Sequence, residues 1–144
     1  MKPFAVAVHG VRTFLVSLGP VRWLLPYHLH ILFGGLGLLF LRELLYRVVS
    51  YSSYDTLNTL FNDIPVYVIS YYAFFAGAWL TLISKNAKYL PYGLWGYAFL
   101  ALFPFEYLTL FDFVGAALYA YGGFALYRYA SSPAGRETSR TSPY

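Results

Sequence analysis

The sequence contains no cysteine. That excludes disulfides, thiolate metal ligands, cysteine nucleophiles and iron–sulfur clusters within these residues. Charge is also scarce: 11% of residues are charged, against roughly 25% in a typical soluble domain. A water-soluble fold of this size needs more charge to cover its surface. Basic residues never cluster. The ten Lys and Arg are scattered singly, so the net charge of +4 carries no nucleic-acid signal. The glycine-rich run Gly34-Gly35-Leu36-Gly37 lacks the Lys-Ser/Thr that follows a Walker glycine, so it is no phosphate loop. No repeat of fixed period is present.

What the chain has instead is apolar length and aromatic residues. Hydrophobic residues reach 59% and aromatics 22%, with 16 Tyr and 13 Phe. Ile64 to Ser84 reads IPVYVISYYAFFAGAWLTLIS, 21 residues without a formal charge. At about 1.5 Å per helical residue this covers the roughly 30 Å hydrocarbon core of a bilayer. Similar runs lie on both sides. The pattern predicts an all-α, integral membrane four-helix bundle with spans near 26–46, 64–84, 89–105 and 108–129, within a transmembrane domain covering 26–130. Pro26 suits the first turn of the first span, where its missing N–H has no partner to lose. Arg42 and Glu43 then fall near the far interface. Residues 48–63 form the longest connection, in which Asp55 is placed to cap a short surface helix.

Residues 1–25 are moderately apolar but carry Lys2, Arg12 and Arg22 and are broken at Gly19-Pro20. No small-x-small cleavage site follows cleanly, so the segment is kept in the mature protein. It is expected to lie on the cytoplasmic face as an interfacial amphipathic helix, because a central Arg costs about 2.5–3.5 kcal/mol on insertion scales. The alternative is a further span. Residues 131–144 have almost no apolar content and are expected to form a disordered cytoplasmic tail.

Four spans with both termini inside put eight basic residues in the cytoplasm and two outside. This satisfies the positive-inside rule, and a fifth span spoils it. The expected location is the cell membrane, an inner membrane, with N and C termini cytoplasmic.

Ionisable groups at membrane depth are the natural candidates for chemistry. They are Arg42, Glu43, Glu106 and Asp112, all near the outer face in this topology. Together they read either as an access point for an ion or proton, or as loop residues in water. Arg42 and Glu43 are adjacent and so face different directions, while Glu43 and Arg47 form an i, i+4 pair. His28 and His30 point to different sides of one helix and cannot serve a single haem iron together. Headgroup-level polar residues are the plainer reading. Small residues mark helix-packing positions: Gly34, Gly35 and Gly37 in the first span, Ala73 and Gly77 in the second, and Ala116, Ala120 and Gly123 in the fourth. They serve either packing within the bundle or self-association. Tyr71, Tyr72, Tyr97, Tyr119 and Tyr121 fall deep, and their hydroxyls require partners between helices or in a wet cavity.

Two functions fit this inventory. The first is a non-enzymatic accessory, assembly or regulatory subunit of a membrane complex. The second is a small homo-oligomeric transporter or channel for an ion or small solute. An enzyme fits less well, because the outer carboxylates have no histidine beside them. No cofactor or metal is expected. Expected partners are the lipid bilayer and other membrane subunits or the protein itself, with no nucleic acid.

Overall fold

The computed structural model describes residues 10, 14, 17–49, 58, 59, 61, 64–103, 105 and 108–132. All regular structure among them is helical. Helix α1 (Gly19–Leu24) passes through a 3₁₀ turn (Leu25–Tyr27) into α2 (His28–Val48). Helix α3 is Val66–Ile83, a second 3₁₀ turn covers Ala87–Tyr89, and α4 (Leu90–Leu102) and α5 (Leu110–Ser131) follow. Most of the N-terminal segment, Asp55, Glu106 and residues 133–144 lie outside the described residues. The expectations placed on them stay there.

Proline sets the joints. Pro20 opens α1, Pro26 sits in the first 3₁₀ turn, Pro65 precedes α3 and Pro91 opens α4. Each occupies a first turn or flank, where a fixed φ helps and a lost N–H costs little. Pro26 was expected to start the first long helix. Instead the helical path already runs from Gly19 to Val48, 30 residues, with the tighter turn absorbing the missing donor.

Three helices are long and apolar enough to cross a membrane: Gly19–Val48, Val66–Ile83 and Leu110–Ser131. The fourth, α4, has 13 residues and rises only about 20 Å. It stops short of the expected 89–105 because Phe103 is extended, with φ −74° and ψ 131°. The residue after it is Pro104, and a residue before proline is driven out of the helical region.

Helices α2 and α3 run antiparallel at close range. Gly35 and Gly77 make this possible. A Cβ on Gly35 would come within 2.5 Å of the Phe74 backbone nitrogen, and one on Gly77 would overlap the Leu32 backbone. Helix α4 lies along α2, with Gly93 on the Leu32 side chain and Gly96 on that of Leu36. Helix α5 packs chiefly on α4, antiparallel to it, where Gly123 leaves room for the Trp95 ring. Leu32, Leu39, Phe74 and Leu90 form the main buried cluster, and Leu25, Leu80 and Ile83 a second one at the α1 end.

Candidate functional site

The Arg42–Glu43 pair lies at the end of the molecule where α2 finishes and α3 begins. Arg42 Nη1 donates to Glu43 Oε1 at 2.5 Å. Adjacency was expected to turn the two apart, but a long flexible stem lets the guanidinium curl back to its neighbour. The same guanidinium sits 5.0 Å from the Tyr46 ring centre and 5.2 Å from that of Tyr67. Both are within cation–π range, which holds the charge without a further acid. Arg47 instead lies over Phe103, at 5.7 Å.

Beside the pair is an open cleft of about 260 Å³, lined by Leu39, Glu43, Tyr67, Tyr97, Leu100, Ala101 and Phe103. It combines one carboxylate and two phenols with apolar walls. From it a chain of rings runs inward. Tyr97 stacks on Phe74 with ring centres 4.6 Å apart and planes 12° apart. Tyr119 of α5 meets Tyr97 edge-on at 4.6 Å. Tyr71 contacts Phe75 at 4.7 Å and Tyr67 at 6.0 Å. Three of the five tyrosines expected to lie deep, at 71, 97 and 119, thus gather around one interior region. The other two, Tyr72 and Tyr121, face outward and are 67% and 73% exposed.

The remaining acids do not join this group. Asp112 is the N3 residue of a capping box at the start of α5. Its Oδ2 accepts from the Thr109 N–H and hydroxyl, both at 2.7 Å, and its own N–H donates to Thr109 Oγ1 at 3.4 Å. The carboxylate is thereby committed to opening a helix. Glu106 lies outside the described residues. Among the described residues no three His, Asp or Glu side chains come together as metal ligands.

Among the small residues, Gly35, Gly77 and Gly123 sit at helix crossings, and Ala116 is buried. Ala73 is half-buried, and Ala120 is exposed but offers its carbonyl to Trp95 Nε1 at 3.2 Å. Gly34 and Gly37 face open space. His28 and His30 part as the helical spacing requires, one buried and one exposed. His28 Nδ1 lies 2.5 Å from Leu25 O; the carbonyl can only accept, so Nδ1 carries the proton. His28 Nε2 and Thr81 Oγ1 are buried without hydrogen-bond partners. The α2–α3 register pairs Gly35 with Phe74 and Leu32 with Gly77, so His28 stands opposite Thr81.

Sequence reasoning missed two features. The Thr109-x-x-Asp112 spacing was visible as a capping box. The second feature is a cleft at the opposite end, lined by Lys88, Tyr89, Tyr92, Tyr127, Ala130 and Ser131. It joins residues some 40 positions apart, and no local pattern announces it. Comparison with family models, curated proteins and solved structures returns no match.

Proposed function

We propose that this chain is a multi-pass membrane protein that works as a non-catalytic accessory, assembly or regulatory subunit. In this reading its four helices form a bundle within the bilayer of a cell membrane, an inner membrane, with both termini cytoplasmic. It docks on other membrane subunits through α5.

One observation carries the docking reading. Only 11% of the apolar stretch of α5 is buried, and Tyr121, midway along that helix, is 73% exposed. Phe and Leu facing lipid need no explanation. A phenol at mid-helix does, because hydrocarbon offers its hydroxyl no hydrogen-bond partner. A neighbouring helix supplies one. A photo-crosslinking residue at position 121, activated in native membranes, tests this. Discrete protein adducts are expected; adducts with lipid alone would sink the docking reading.

The cleft beside Arg42–Glu43 favours a second reading, a small homo-oligomeric transporter or channel. About 260 Å³ holds several waters, and Glu43 is its carboxylate. Liposome flux abolished by Glu43→Gln supports this version. Flux that is absent, or indifferent to Glu43→Gln, removes its mechanism.

A further inference from the structure

The cleft at the opposite end has a different chemistry. Its volume is about 530 Å³, and Lys88, Tyr89, Tyr92, Tyr127, Ala130 and Ser131 line it. It lies between the start of α4 and the last turn of α5. Lys88 Nζ stands 5.0 Å from the Tyr89 ring centre. Trp95 packs against two of the lining rings, 5.6 Å from Tyr92 and 6.0 Å from Tyr127 between ring centres. The antiparallel pairing of α4 and α5 brings Arg128, in the last turn of α5, to the level of Lys88.

Among the described residues no acidic side chain lines this cleft. The two acids among the described residues, Glu43 and Asp112, both belong to the other end of the molecule. Among the described residues, Arg22, Lys85, Lys88 and Arg128 are the basic residues of this end. A cavity whose described lining offers an ammonium group and three phenols suits a phosphate group: the ammonium supplies charge and the phenols supply O–H donors. Apolar walls beside the polar mouth suit an acyl chain. We propose that this cleft binds the phosphodiester headgroup of an anionic phospholipid, with Lys88 as its charged contact and Tyr127 as a hydroxyl donor. The proposal rests on the membrane reading. In that reading the basic end faces the cytoplasmic leaflet, where anionic lipids collect and basic pockets between helices hold their headgroups.

Native mass spectrometry of the full chain, released from detergent, tests it. The chain is titrated separately with phosphatidylglycerol, phosphatidylcholine and inorganic phosphate. Retention of phosphatidylglycerol over phosphatidylcholine is expected. Lys88→Gln weakens that retention about tenfold, Tyr127→Phe weakens it while keeping the ring, and Lys85→Gln, outside the cleft, leaves it unchanged. Circular dichroism confirms that each variant folds; if Lys88→Gln does not, Tyr127→Phe decides. Equal retention of both lipids, unchanged retention in Lys88→Gln and Tyr127→Phe, or displacement of the lipid by millimolar phosphate overturns the proposal, the last by pointing to a free anion. Carbonate extraction of membranes checks the membrane reading separately. Release by carbonate refutes that reading, whereas loss of lipid selectivity in a membrane-retained chain refutes only the cleft.

Discussion

Two glycines hold a close crossing of α2 and α3, and two others a few residues away meet nothing within 4 Å. Gly35 and Gly77 leave space that the facing backbone fills, so an added methyl forces α2 and α3 apart. Overpacking of this kind costs about 1–3 kcal/mol. Gly34 and Gly37 face open space, where alanine brings only its better helix propensity. Gly35→Ala and Gly77→Ala should therefore lower Tm in detergent, and Gly34→Ala and Gly37→Ala should hold or raise it. Equal effects at all four positions would contradict the crossing. Thr81 makes the opposite test. Its hydroxyl is buried without a partner, so Thr81→Val keeps the shape and loses no hydrogen bond. Stability unchanged or higher by about 1 kcal/mol is expected; a loss would mean that a water joins Thr81 to His28. That small residues matter was legible in the sequence as helical spacing. Which glycine meets a neighbour was not, because that depends on how each helix is rotated against the next.

At the scale of elements, the joints follow local chemistry. The apolar runs announced α2, α3 and α5, and prolines mark the starts of α1, α3 and α4. Two helix ends are set by further local signals in the sequence. Pro104 forbids a helical Phe103, which shortens α4. Thr109 and Asp112 form a capping box, so Asp112 serves the backbone of α5. Thr109→Ala should destabilise α5 by about 1 kcal/mol, read as faster amide exchange in residues 110–114. Asp112→Asn should leave any liposome flux untouched. Flux lost on Asp112→Asn would return that carboxylate to a transport role. The Arg42–Glu43 pair was legible as two ionisable groups beside a long apolar run. Its wrapping by Tyr46 and Tyr67 was not, since Tyr67 arrives from another helix.

At the scale of the molecule, the charges of the described residues are unevenly distributed. Arg22, Lys85, Lys88 and Arg128 lie at one end, and Glu43 and Asp112 at the other, beside Arg42 and Arg47. Between them α2, α3 and α5 present outward apolar faces such as Phe33, Leu41, Val68, Phe111 and Leu118. In water that surface drives aggregation, whereas in lipid it is the natural coat. Under the proposed membrane reading, the asymmetry predicts which end stays in the cytoplasm. Because the sequence contains no cysteine, a single introduced one reports without background. Lys85→Cys and Thr109→Cys place a thiol at each end. Intact cells, or spheroplasts where an outer barrier exists, are treated with a membrane-impermeant maleimide. Thr109→Cys should label at once and Lys85→Cys only after lysis. Labelling of both from the same side, or recovery of the protein in the soluble fraction, would contradict a chain that crosses the bilayer with its basic end inside.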